Sequence, residues 1–307
     1  MTGKLLSSIG SLGAAALALL PMAALAQEQG HPVPGQIGLQ PSVTPIMDSI
    51  HVFHDGPLLW SAVLIAVLVL VLLVVVIVRF NAKSNPTPSK TTHNTLIEVI
   101  WTVVPVLILV IIAIPSFAVL TDQLTIPDGQ RKYLGANIFS LGDVEVPAPE
   151  LTIKATGVQW SWDYEYVDQG KGFSSFMLPE TSKNGIDRPT LKPNQPRLLA
   201  VDYELVVPVD TTVRVQVTAD PTGVIHAFAV PSFGIKIDAV PGKLNETWFN
   251  ARKTGLYYGQ CSELCGKDHA FMPIAVRVVT KEEFAAWMAA FEAGSLDDAN
   301  ATLPAIS

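Results

Sequence analysis

Cysteine is scarce in this chain. Only Cys261 and Cys265 occur among 307 residues, which excludes a disulfide framework of the kind that staples small exported domains. A bridge between them would close so short a loop that little chain entropy would be removed. Histidine is equally thin beyond residue 120, where only His226 and His269 occur. No Cys-x-x-Cys-His run is present, so covalent haem attachment of the c type is excluded. Acidic residues are absent from 79–94, which holds Arg79, Lys83 and Lys90. Basic residues are the minority elsewhere: residues 121–307 carry 16 Lys plus Arg against 23 Asp plus Glu. Such a surface does not suit nucleic acid, and it would favour association with a basic partner in a salt-dependent way.

Against that scarcity, Gly259 to Pro273 reads GQCSELCGKDHAFMP and gathers Cys261, Cys265, His269 and Met272. Thiolate, imidazole and thioether together are the ligand choice of cupredoxin copper sites, whereas zinc prefers four cysteine or histidine ligands and calcium or magnesium prefers oxygen. A mononuclear blue-copper centre needs two histidines, one cysteine and a methionine. This chain offers one thiolate more, so the two cysteines could bridge a pair of copper ions with His226 and His269 each capping one. A structural disulfide, a core histidine at 226 and a packing methionine at 272 are the plainer alternatives. Their joint occurrence, with no other cysteine or histidine in the domain, favours the metal.

Residues 1–26 carry Lys4, an apolar stretch from about Ile9 to Leu20 and the small-residue run Ala24-Leu25-Ala26, the form of a cleavable secretory leader. A periplasmic lead-in covers 27–55 and is rich in Gly, Pro and Gln over 27–45. Two apolar runs, Pro57 to Val78 and Leu96 to Leu120 within 56–120, each reach the roughly 20 residues needed to cross a bilayer. The basic segment between them places that connection in the cytoplasm. Both mature termini and the cysteine-containing domain are thus expected on the periplasmic side of a bacterial inner membrane.

Residues 121–149 read as an irregular connection. From Glu150 onward, β-branched and aromatic runs recur between turn signals: Leu151–Thr156, Val158–Tyr166, Arg197–Val201, Val213–Thr218, Val224–Val230, Glu246–Asn250, Leu256–Gln260 and Ile274–Val279. Val213 to Val217 alternates apolar with polar, as a half-buried strand should. The spacing predicts a β-sandwich or barrel over 150–293, with a loop from Gly170 to Pro196. Thr280 and Glu283 form a capping box, and Phe284, Trp287, Met288 and Phe291 share one helical face, so a short helix closes the domain. The tail 294–307 is expected to be mobile. The fold class is a membrane-anchored all-β chain, a two-helix hairpin followed by a β-domain with a C-terminal helix.

These residues resemble subunit II of bacterial haem–copper cytochrome c oxidases. The resemblance covers about residues 40–290 and rests on HNTLIEVIWTVVP at 93–105, QWSWDYEY at 159–166, IHAFAVPSFGIKIDAVPGK at 225–243 and, above all, GQCSELCGKDHAFMP. Departures are modest: Ser161 where a third aromatic is common, Phe228 for a frequent tryptophan, and a longer connection over 121–150. The resemblance implies a cupredoxin-like domain with a binuclear CuA centre, bridged by Cys261 and Cys265 and completed by His226, His269, Met272 and the backbone carbonyl of Glu263. It implies that the Glu263 side chain helps hold a magnesium or manganese ion shared with subunit I. Glu98 would take up protons from the cytoplasmic side, and Trp160 would accept electrons from cytochrome c. Haem would reside only in subunit I, where oxygen is reduced and protons are pumped, and subunit III would be a further partner.

Periodicity alone places Trp160, Trp162, Tyr164 and Tyr166 on one strand face. Asp163 and Glu165 on the other face, with Asp168, Asp187, Asp202, Glu204 and Asp220, are candidates for steering a lysine-ringed cytochrome c. The competing reading is a copper-delivery chaperone with a Cys-x-x-x-Cys site, which should show βαβ alternation and no helical hairpin. A quinol oxidase subunit would have lost the copper ligands, and a nitrous-oxide reductase would need a large catalytic domain. A disulfide-stapled anchor is the structural alternative.

Overall fold

The computed structural model describes residues 28–304 except 136, 138–141, 182–189 and 192–194. The expected leader, 1–26, and Asp187 lie outside the described residues. In chain order the elements are β1 (Glu28–Gly30), α1 (Pro45–Phe53), α2 (Leu59–Arg79), α3 (Thr95–Leu124), β2 (Lys132–Tyr133), β3 (Val144–Glu145), β4 (Leu151–Val158), β5 (Ser161–Tyr166), β6 (Lys171–Ser175), β7 (Leu205–Pro208), β8 (Thr212–Ala219), β9 (His226–Val230), β10 (Ile235–Ala239), β11 (Asn245–Asn250), β12 (Gly255–Gln260), β13 (Pro273–Val279), α4 (Lys281–Ala293) and α5 (Leu296–Asn300).

The two apolar runs form α2 and α3. Nearly all their large side chains are exposed within the chain, the reverse of a soluble core helix, so lipid or another protein must cover them. At the start of α3 the Asn94 side chain accepts from Ile97 N and the Glu98 carboxylate accepts from Asn94 N, at 3.2 and 3.1 Å. This reciprocal cap fixes where the helix begins.

The lead-in is more structured than its composition suggests. Thr44 caps α1 through Met47 N, with Pro45 at the first position. A π turn over His54–Leu58, with Gly56 non-helical, joins α1 to α2. The start signal was present in Thr44-Pro45 and Asp48, but the Gly- and Pro-rich context obscured it.

Beyond the helices, a five-stranded sheet runs in the order β11-β8-β4-β5-β6, and a four-stranded sheet in the order β1-β12-β13-β7. The hairpin β9–β10 forms a separate two-stranded ribbon, as do β2 and β3. β4 alternates buried and half-buried residues throughout, and β8 does so over most of its length, as their sequence pattern requires. Ile153, Val215, Phe228, Tyr257 and Val276 belong to one core shared by both sheets and the ribbon. Tyr166 joins the sheets directly, its hydroxyl donating to Val206 O at 2.7 Å and accepting from Val206 N at 3.1 Å. A cupredoxin-like β-domain with a closing helix results.

Several sequence expectations need correction. Arg197–Val201 does not form a strand: Leu198 has φ 67°, and the chain turns there. The strand falls instead at β7, a short run buried at every position and therefore without alternation to mark it. The expected loop 170–196 contains β6, an edge strand whose Lys-Gly-Phe-Ser-Ser sequence is poor in apolar residues and is recruited by pairing with β5. β10 lies outside the expected strands, and its Ile235 and Ile237 are buried in alternation with exposed Lys236 and Asp238. The connection 121–149 holds the ribbon β2–β3. The tail forms α5, where Ser295 and Asp298 make a second capping box and Arg277 donates to Pro304 O at 3.0 Å.

Candidate metal centre

β12 and β13 are antiparallel, with Gln260 opposite Pro273. Residues 261–272 are therefore a loop whose two ends are strand neighbours. Its chemistry-bearing residues stand at those ends: Cys261 follows β12 directly and Met272 precedes β13 directly. The loop is also fastened to the ribbon, since Ser262 N donates to Ala227 O at 3.2 Å. That contact brings His226, the first residue of β9, up to the cysteines. Space for its imidazole comes from Gly157 on β4, where a Cβ would lie 2.9 Å from the ring.

The soft donors converge. Cys261 Sγ and Cys265 Sγ are 3.8 Å apart, and both cysteines are free and buried. An S–S bond requires about 2.05 Å, so the structure carries two thiols in place of the structural disulfide. Cys261 Sγ lies 3.8 Å from His226 Nδ1 and 3.3 Å from Glu263 O. Cys265 Sγ lies 3.6 Å from both His269 Nδ1 and Met272 Sδ. All six donors named from sequence thus meet at one place, and the ligand atoms of His226, Cys261 and Cys265 lie within 4.8 Å of one another.

Burial and the Cys261 thiol beside it push the Cys265 thiol up to about 12. Burial, then the nearby His269, lowers the pKa of His226 and favours neutral imidazole. Each sulfur is thus paired with an imidazole nitrogen. The other nitrogen of His226, Nε2, is buried without a hydrogen-bond partner. This donor set fits copper, with thiolates able to lie between two metals. The Glu263 side chain is exposed, as is the Leu264 side chain beside it.

Trp160 does not lie on the strand face to which periodicity assigns it. Val158 pairs with Ser161, so Gln159 and Trp160 are the two-residue tip of the β4–β5 hairpin. Trp162, Tyr164 and Tyr166 are buried in the core, whereas Trp160 is half-buried. No Gly, Asn or Asp marked the turn, and the aromatic alternation ran straight through it. From the tip, Trp160 Nε1 and Gln159 Nε2 both donate to Cys265 O, at 3.2 and 3.1 Å. Gly266, at φ +121°, lies against the indole, where a Cβ would be 2.9 Å from Trp160 Cζ2. Gln159, Gly157 and Gly266 carry no signal in residue type, because they act through a carbonyl or by leaving space.

The candidate docking carboxylates differ in their surroundings. Asp168 and Glu165 are exposed, the latter 3.6 Å from Lys154. Asp163 accepts from Ser174 Oγ at 2.6 Å, and Asp202 accepts from Phe176 N and Tyr203 N. Hydrogen bonds from Thr222 hold the Asp220 carboxyl below its ordinary value. Glu204 departs from expectation: its side chain is 13% exposed and pairs with Arg277, itself 9% exposed. A carboxylate committed to an interior ion pair is not available to steer a partner.

Comparison with known proteins gives a consistent result. Residues 151–279 match the family model for the periplasmic domain of cytochrome c oxidase subunit II, and residues 32–119 match the model for its transmembrane domain. A probable cytochrome c oxidase subunit 2 of Rickettsia bellii is 46% identical over 275 residues, covering 89% of this chain and 91% of the relative. Cytochrome c oxidase subunit 2 of Cereibacter sphaeroides is 40% identical over 308 residues, covering 95% and 93%. Among solved structures, the periplasmic domain of subunit II of cytochrome oxidase (CoxB) of Bradyrhizobium japonicum is 60% identical, covers 47% of this chain and 94% of that one, and has a TM-score of 0.41. The two apolar helices and the paired family matches describe a membrane-anchored protein with a periplasmic domain. This chain belongs to the cytochrome c oxidase subunit II family.

Proposed function

We propose that the chain is the electron-accepting subunit of a haem–copper cytochrome c oxidase, taking electrons from cytochrome c and passing them to haem in subunit I for the reduction of oxygen to water, coupled to proton pumping. The observation that carries this reading is the convergence of two free, buried thiols 3.8 Å apart with an imidazole Nδ1 beside each. When bound there, a CuA copper pair supplies a one-electron carrier that makes and breaks no substrate bond. Cys261 and Cys265 would bridge it, with His226, His269, Met272 and the carbonyl of Glu263 as the remaining ligands. Burial of His226, Cys261, Cys265 and Met272 on the β-domain would hold these donors in place and limit rearrangement on electron transfer.

Trp160 is assigned the receiving role for electrons. Its indole is half-exposed at the hairpin tip and donates a hydrogen bond to the backbone of Cys265. The exposed carboxylates Glu165 and Asp168, with Asp163, Asp202 and Asp220 near the surface, would draw a basic cytochrome c toward the domain. The exposed side chain of Glu263 would help hold a magnesium or manganese ion shared with subunit I. Glu98, in the first turn of α3 beside the basic 79–94 segment, would take up protons from the cytoplasm.

In topology, residues 1–26 are a leader removed on export, and α2 and α3 cross the inner membrane. Both mature termini and the domain over about 150–293 face the periplasm, with lipid and subunits I and III around the helices. Rapid mixing of the complex with reduced cytochrome c tests the account. Trp160→Phe should slow electron acceptance by at least about tenfold, at least 1.4 kcal/mol in the barrier, without altering copper content. Unchanged transfer would refute its role.

A further inference from the structure

The run 259–273 contains one lysine and no arginine, and that lysine occupies a particular place. Gly266 packs against the indole of Trp160, so the next residue is delivered onto the ring: Lys267 Nζ stands 5.0 Å from the Trp160 ring centroid. Asp268 holds it there, with Nζ 2.8 Å from Oδ2. The Lys267 side chain is 76% exposed. At exposed sites both cation–π and ion-pair contacts are weak, so the ammonium can be displaced by an arriving protein. The surrounding domain is acidic, with 23 Asp plus Glu against 16 Lys plus Arg from residue 121 onward. A positive charge therefore sits at the point of contact within a negative field.

We propose that Lys267 is a specificity-determining residue for the electron donor: its ammonium, seated on Trp160, penalises donors with a lysine-ringed haem edge relative to donors with a neutral or acidic one. The inference rests on the reading of Trp160 as the electron acceptor. A basic donor is drawn in by the domain as a whole but must bring its own lysines against Lys267 at the final approach. An acidic donor gains an attractive partner at that spot. Rim charges of this kind act mainly on association rate and on its salt dependence.

The test uses the assembled oxidase and two reduced donors, one basic and one acidic cytochrome c, mixed rapidly at low and high ionic strength. Lys267→Gln should raise the second-order rate with the basic donor by roughly 2- to 5-fold and lower it with the acidic donor. Both differences should shrink near roughly 0.5 M salt, where the screening length falls to a few ångströms. Lys267→Arg should keep the parental discrimination. Trp160→Phe is run in parallel. If Lys267→Gln leaves both donors unaffected, or changes both in the same direction, while Trp160→Phe slows them, the selectivity role is overturned and the Trp160 reading stands. If Trp160→Phe changes nothing, the reading of Trp160 fails and the proposal falls with it.

Discussion

Cys265 is the residue on which the contacts of the site converge. Its sulfur faces Cys261, His269 and Met272, and its carbonyl receives both the indole of Trp160 and the amide of Gln159. Cys265→Ser replaces the soft donor proposed to bridge the copper pair with a hydroxyl of similar size. It should abolish the signal of an electron shared between two coppers while leaving the far-ultraviolet dichroism of the β-domain intact. A parental copper spectrum from that variant would contradict the bridging role. At this scale the soft-donor side chains were legible in the sequence as candidates, because cysteine, histidine and methionine announce their chemistry by type and spacing, whereas the Glu263 carbonyl entered only through the family resemblance. Their supports were not. Gly157 matters for the space beside His226, Gln159 for one hydrogen bond to a carbonyl, and Lys267 for where Gly266 delivers it, and none of these properties is written in residue type.

Among the elements, the antiparallel pair β12–β13 does the most to build the site, since its register makes the ends of the 261–272 loop neighbours. The strands with clear alternation, β4 and β8, were legible within one or two residues. Those that the sequence concealed fall into physical classes. β7 is buried at every position and so has no period, β6 is an edge strand held by its partner, and the β4–β5 turn lacks the usual turn residues. α5 belongs with them, because its signal is a cap in a segment too short to show a helical period.

The fate of α5 carries a pH prediction. Hydrogen bonds from the Ser295 side chain and backbone hold the Asp298 carboxyl below its ordinary value of 3.8. A carboxyl lowered in the folded state contributes stability that is present above the unfolded value and lost as pH falls through the folded one. The cap should therefore be intact at neutral pH and released below about pH 4. Amide exchange at Ala299 and Thr302, which donate to Ser295 O and Ala299 O, should gain rate relative to β13 over that fall, once corrected for intrinsic chemistry. Equal protection at pH 6 and pH 3 would contradict the cap's contribution.

For the molecule as a whole, two surfaces of opposite character explain how it works in an assembly. The apolar faces of α2 and α3 are left uncovered by the chain, so lipid or another protein must cover them. The β-domain has its own core and presents acidic groups outward, with the soft-donor cluster gathered where β9 meets the 261–272 loop. The two long apolar helices were legible from length and composition alone, and the domain's class from its recurrent strands. His226 was legible as a candidate donor by its type, but the means of its approach to cysteines 35 and 39 positions away was not, since that depends on the ribbon β9–β10 docking on β12. That long-range approach is also what distinguishes an electron carrier from a stapled anchor.

Electron paramagnetic resonance on the copper-loaded full-length chain distinguishes a copper pair from a single ion. A pair held by both thiolates should give a hyperfine pattern from one unpaired electron shared equally by two copper nuclei. A signal confined to a single copper, or failure of the reduced protein to bind copper at all, would contradict the pair.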